Sequence, residues 1–162
     1  MSEAEKLDIK AENRIVSDWL LYYHERLQEQ KEHMYKLGYY PKAGGDSIRA
    51  QGTTSDPTAN QVIKREKHDS RWFDLIADVE RMLPEKQRVF LEIRREATHQ
   101  RGGKPGRPAW VAYVQCKYPL VMARRTGRPV DCYCIGADRL LYEWWNRIVE
   151  YAARIAAKRG LL

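Results

Sequence analysis

Gly136-Ala-Asp-Arg-Leu-Leu-Tyr-Glu-Trp-Trp-Asn-Arg-Ile-Val-Glu-Tyr-Ala-Ala-Arg-Ile-Ala-Ala-Lys-Arg-Gly160 is an uninterrupted helical run with no proline inside it. At about 100° per residue, Leu140, Leu141, Trp144, Trp145, Ile148, Tyr151, Ala152 and Ile155 fall on one stripe, the width expected of a core-facing helix. Arg139, Tyr142, Glu143, Asn146 and Glu150, flanked by Arg147 and Arg154, line the opposite side. A stripe rich in tryptophan and aliphatic residues has to be buried against other helices, so the fold class read from this segment is all-α.

Working outward, charge is distributed unevenly. From Pro84 to Leu162 there are 16 Lys and Arg against 7 Asp and Glu, which places that half at +9 and leaves the preceding half at −2. A basic helical segment is the electrostatic footprint of a polyanion partner, double-stranded DNA above all. The polar side of the terminal helix has matching chemistry: arginine pairs with guanine, asparagine with adenine, and glutamate accepts from cytosine. Arg139, Tyr142, Glu143, Asn146 and Arg147 are therefore candidate base readers. Lys117, Arg124, Arg125 and Arg128, together with Arg101, Lys104 and Arg107 in the Gly/Pro-rich stretch 98–108, are candidates for phosphate or minor-groove contact. Arg107 and Arg128 each stand in a Gly-Arg-Pro tripeptide. An ordinary amphipathic surface helix has the same wheel, and the charge asymmetry is what favours DNA.

The rest of the chain reads as helices and breaks. Ile15, Trp19, Tyr22, Tyr23, Leu27 and Met34 predict one helix over 11–37, followed by a flexible linker to residue 54. Ser55-Asp-Pro-Thr-Ala-Asn60 predicts a capped helix start, with Val62, Ile63, Trp72, Phe73, Ile76, Val79 and Leu83 on its apolar face. Pro84-Glu85 restarts the pattern, and Val89, Phe90, Ile93 and Ala97 mark a helix ending near His99. Stretch 98–108 reads as a loop that carries Arg101, Lys104 and Arg107 into solvent. Short helices over 109–118 and 119–125, the second opened by Pro119, then lead to the terminal helix. Together they predict a helix-turn-helix at about 109–159, with a long turn over 127–135 that has room for a short strand. Two domains are expected: 1–54, N-terminal helix and linker, and 55–162, a helical DNA-binding domain.

Several classes are disfavoured. No apolar stretch reaches the length of a membrane span. The Met-Ser-Glu-Ala-Glu-Lys start lacks the apolar core of a signal peptide, so a cytoplasmic location in a bacterial host is expected. Three cysteines, an odd number, argue for reduced thiols, with Cys132 and Cys134 expected to be buried as small apolar groups. The Cys-x-Cys spacing is tighter than zinc sites use, and no metal or cofactor is implied. Asp74, Asp78 and Glu80 share a helix as a solvated surface, and His24, His33, His68 and His99 show no ligand spacing. The chain is expected not to be an enzyme, a metal-dependent nuclease being the weakest alternative.

Three pieces, Ser55-Asp-Pro-Thr-Ala-Asn60, Leu83-Pro-Glu-Lys-Gln-Arg-Val-Phe-Leu-Glu92 and Ile135-Gly-Ala-Asp-Arg-Leu-Leu-Tyr-Glu-Trp-Trp-Asn-Arg-Ile148, occur in this order. In order and approximate spacing they resemble the phage late-gene transcription regulators of the RinA and ArpU type. The resemblance implies a C-terminal helix-turn-helix similar to the promoter-reading domain of sigma factors. It also implies a second partner, the host RNA polymerase, engaged either by a late-gene activator or by a Q-type antiterminator. Stretches 98–108 and 128–134 are additions to that family's pattern. A homodimer fits the same reading. A small terminase subunit, which recognises packaging-site DNA as a ring, is the alternative of similar physical design.

Overall fold

The apolar stripe of the terminal segment is buried in a helical assembly, as an all-α fold requires. In the computed structural model the described residues are 2–36 and 57–162. Among them the helices are α1 (Glu3–Leu21), α2 (Tyr23–Lys36), α3 (Pro57–Met82), α4 (Glu85–Glu96), α5 (Ala109–Thr126) and α6 (Asp138–Lys158). A small hairpin of β1 (Gly103–Lys104) and β2 (Arg107–Pro108) lies between α4 and α5. Leu141, Ile148, Val149, Ala152 and Ala156 of α6 join one hydrophobic core with Val16 and Leu20 of α1, Trp72 and Ile76 of α3, and Phe90 of α4. Residues from both 1–54 and 55–162 thus contribute to the same core.

The single helix expected over 11–37 is instead two. α1 begins earlier, in a capping box: the Ser2 hydroxyl accepts the Glu5 N–H at 3.3 Å while the Glu5 carboxylate accepts the Ser2 N–H at 2.6 Å. The helix breaks at Tyr22, where no glycine or proline signals a stop. The cause lies in α4: Arg95 Nε donates to the Leu20 carbonyl at 2.6 Å, the acceptor that a continuous helix offers to the N–H at His24. A side chain inserted into the helical ladder is a recognised source of kinks. Leu37 and the expected linker, like the caps Ser55 and Asp56, lie outside the described residues.

Val62 and Ile63, expected in the core, are exposed, because the first half of α3 runs beyond the body of the fold. Burial starts at Trp72, whose ring stacks on Trp19 with centroids 5.3 Å apart, while Phe73 meets Trp19 edge-on. α4 is the central element. It buries Val89, Phe90, Leu91 and Ile93 and contacts α1, α5 and α6.

α5 is one continuous helix rather than two short ones. Pro119 lies inside it and removes the N–H that would bond the carbonyl of Gln115. Val114, Tyr118 and Met122, spaced four residues apart across the proline, are all buried, and this packing outweighs the local penalty. α5 ends at Gly127 in the left-handed region (φ 70°), where the Gly127 N–H returns to the Ala123 carbonyl at 2.9 Å.

The stretch 98–108, expected as a loop, contains the hairpin, with Lys104 opposite Arg107 and Gly103 opposite Pro108. A Cβ at Gly103 would stand 3.0 Å from the Ala109 nitrogen, so the tight passage from β2 into α5 requires glycine there. The turn over 127–135 holds no strand, only a 3-10 turn at Val130–Tyr133. Cys132 and Cys134 are exposed rather than buried; Tyr133 and Ile135 are the residues that pack on the core. α5 rests mainly on α4, whereas α6 rests on α1 and α3.

Candidate nucleic-acid interface

Arg139, Tyr142, Asn146 and Arg147 are exposed on the outward side of α6, and Glu143 beside them is half-buried. The helix sets this spacing, and burial of Leu141, Ile148 and Val149 against the other helices fixes its rotation. Arg139, with 88% of its side chain exposed, donates from Nε to Glu143 Oε1 at 2.8 Å one turn on. A pair so exposed is weak and readily exchanged for another partner. Tyr142 rests edge-on against Trp110 of α5, centroids 5.2 Å apart, which limits its rotamers. Leu140, assigned to the core stripe, is exposed at 38%. It sits at the edge of the stripe in the first turn, before α6 has entered the body of the fold.

The seven cations expected to hold phosphates divide into two sets. Arg101, Lys104, Arg124 and Arg128 are exposed and form no ion pair among the described residues. Arg107, Lys117 and Arg125 are engaged. Arg107, expected to project into solvent, instead reaches Asp138 in the first turn of α6, with Nε 3.1 Å from Oδ2, and also hydrogen-bonds Gln115. Gln115 Nε2 completes the triangle by donating to Asp138 Oδ1 at 2.7 Å. This clasp ties hairpin, α5 and α6 together, because a carboxylate at a helix N-terminus is a favourable acceptor. Lys117 pairs with Glu96 and lies 3.2 Å from the Tyr113 hydroxyl. The hydrogen bond to Glu96, then that to Tyr113, raises the Lys117 pKa above its ordinary value. Arg125 donates to Glu92 at 2.8 Å. Glu92 and Glu96 thus meet Arg125 and Lys117 in reverse order, so α4 and α5 run antiparallel.

Two adjacent arginines that carry no sequence motif, Arg94 and Arg95, are held by the surrounding helices. Arg95 is buried; besides Leu20, it meets the Glu80 carboxylate and His24 Nε2, the latter at 3.1 Å. Its guanidinium also lies 5.3 Å from the Tyr23 ring centre. Burial, reinforced by Arg95, holds the His24 imidazole below its ordinary pKa. Arg94 lies over Trp110 at 4.3 Å and over Trp145 at 5.0 Å. Its Nε is buried without a hydrogen-bond partner, and burial pushes its pKa down to about 10. The ionisable groups that bear on it are the phenols of Tyr22 and Tyr142, with no carboxylate among them. Its aromatic surroundings come from positions 22, 110, 142 and 145, scattered too widely along the chain for any sequence motif to reveal them.

At the far end of α6, Arg159 donates to Asp78 Oδ2 at 2.6 Å, and this bond draws the Asp78 carboxyl below its ordinary pKa. Among the described residues no group of three or more His, Cys, Asp or Glu side chains gathers to hold a metal, and no helix is long and apolar enough to cross a membrane. No family model, curated protein or solved structure matches the chain.

Proposed function

We propose that the chain is a sequence-specific double-stranded-DNA-binding protein that reads base edges with the outward side of α6. Arg139, Tyr142, Glu143, Asn146 and Arg147 are the readers, while Arg101, Lys104, Arg124 and Arg128 supply phosphate contacts and register. The single observation that carries this reading is α6 itself: its apolar stripe is buried while a row of hydrogen-bonding side chains faces outward in the basic half of the chain. In this reading α5 and α6 are the two helices of a helix-turn-helix whose corner is replaced by the long turn 127–137. The motif resemblance extends the proposal to a phage late-gene transcription regulator, activator or antiterminator, that works in the host cytoplasm and engages host RNA polymerase. Leu7, Ile9 and Ile15, exposed along α1, offer that second partner an apolar surface.

The test begins with selection of bound fragments from a phage genome. Arg139→Ala or Asn146→Ala should then weaken the selected site by about 10- to 100-fold more than random DNA, the range set by one bidentate base contact. Equal loss on both DNAs rejects the base-reading role, and absence of any DNA binding rejects the whole proposal. The exposed apolar residues of α1 equally favour a second reading, a ring-forming small terminase subunit. Light scattering separates the two, since a ring of many copies excludes the regulator.

A further inference from the structure

Arg94 of α4 is held between aromatic rings with no anion beside it among the described residues. Its neighbours in sequence show that the omission is local. Arg95 has Glu80, while the two carboxylates nearest in the chain, Glu92 and Glu96, are committed to Arg125 and Lys117. Against Trp110 and Trp145 the guanidinium gains cation–π attraction, which fixes its plane but leaves its N–H groups without acceptors. Nε is buried and unpartnered, while the terminal nitrogens are not among the buried atoms and donate no hydrogen bond among the described residues. A half-buried cation with fixed orientation and donors left to solvent is built to receive an anion.

Its position identifies the source of that anion. Trp145 precedes Asn146 on α6, and Trp110 is touched by Tyr142, so the guanidinium lies at the margin of the outward face of α6. α5 begins beside it at Ala109, and no side chain caps its first N–H groups, which adds the positive end of a helix to the same neighbourhood. We propose that Arg94 is an anion-binding residue whose ligand is a backbone phosphate of DNA lying along α6. The planar fork suits phosphate oxygens better than a lysine does, and the two indoles hold it in place before the DNA arrives. This inference rests on the DNA-binding reading and adds to it a phosphate anchor rooted in the core, unlike the exposed cations Arg101, Lys104, Arg124 and Arg128.

Phosphate contacts are independent of sequence, so a short random-sequence duplex at low salt is a sufficient probe. In the full chain, labelled with nitrogen-15, the Nε–H resonance of Arg94 should shift as duplex is added. Arg94→Lys, which keeps the charge but loses the fork, should weaken binding to every duplex by roughly tenfold with little change in salt dependence, whereas Arg94→Ala should also make the salt dependence shallower by about one. The wild-type resonance decides the matter even if the variant folds poorly. Duplex that shifts the Arg139 and Arg147 resonances but leaves Arg94 still would overturn this proposal and spare DNA binding. Duplex that shifts none of them would overturn both.

Discussion

The two sides of α4 handle positive charge in opposite ways. Toward α1, α2 and α3, Arg95 meets a carboxylate, a backbone carbonyl and an imidazole, so its charge is met within the protein even though its Nη2 is buried without a partner. Toward the start of α5 and α6, Arg94 meets only aromatic rings, while Arg101 and Lys104 ahead of α5 and Arg124 and Arg128 at its far end form no ion pairs among the described residues. The contrast separates arginine as a structural brace from arginine held ready for a partner.

The strongest way to break this contrast is to remove the brace. Arg95→Ala strands Glu80 and the Leu20 carbonyl and should cost about 3–5 kcal/mol, the range for disrupting a buried pair. Urea denaturation measures it, and a loss below about 1 kcal/mol would mean that solvent already satisfies the network. On the opposite side, Trp110→Leu removes one ring from Arg94 and the surface under Tyr142. The expected loss is about 2 kcal/mol, read from the same denaturation curves, together with a displaced Arg94 Nε–H resonance. If that resonance does not move, Trp110 does not position the guanidinium.

The clasp at the hairpin sharpens the comparison further. Arg107→Ala should cost only about 0.5 kcal/mol, because the pair is exposed, but should speed hydrogen exchange in the first turn of α6. It should also leave the salt dependence of DNA binding nearly unchanged, whereas Arg124→Ala or Arg128→Ala should each reduce the slope by about one. A reduced slope for Arg107→Ala would return that residue to the set of phosphate contacts.

The smallest effect is expected from His24. Its folded pKa lies below the ordinary imidazole value of about 6.5, because burial and then Arg95 oppose its protonation. As pH falls from that value toward the folded one, the unfolded chain takes up a proton that the folded chain does not, and stability declines across that window. Above it the contribution is fully present. An NMR titration of His24 in the folded protein checks the sign, and an imidazole titrating at or above its ordinary value would contradict it.

Where burial follows helical periodicity, the fold was legible from residues alone. Trp72, Phe73, Ile76 and Val79 on α3, Val89, Phe90 and Ile93 on α4, and Leu141, Ile148 and Ala152 on α6 are buried as their spacing predicts. What remained hidden depends on contacts distant in sequence. Nothing near Tyr22 reveals that an arginine from α4 takes the carbonyl at Leu20. Pro119 reads as a helix start because the packing of Tyr118 and Met122 that carries the helix through it is tertiary. Glycine and proline in 98–108 mark a break, but the pairing of Lys104 with Arg107 and the clasp to Asp138 depend on where α6 begins. The spacing of the proposed readers on α6 is legible because one helix carries them all, whereas the surroundings of Arg94 come from four separate segments.

Cys116, Cys132 and Cys134 all stand at the surface, and three thiols cannot all be matched within one chain. Handling in air therefore favours covalent cross-links between copies, and an apparent dimer or larger species formed without reductant would reflect sulfur chemistry rather than a protein interface. The mass measurement that separates a regulator from a ring has to be made with the thiols reduced or blocked. The same exposure makes these cysteines native attachment points for probes: Cys116 on α5 beside the hairpin, the other two in the turn that leads into α6.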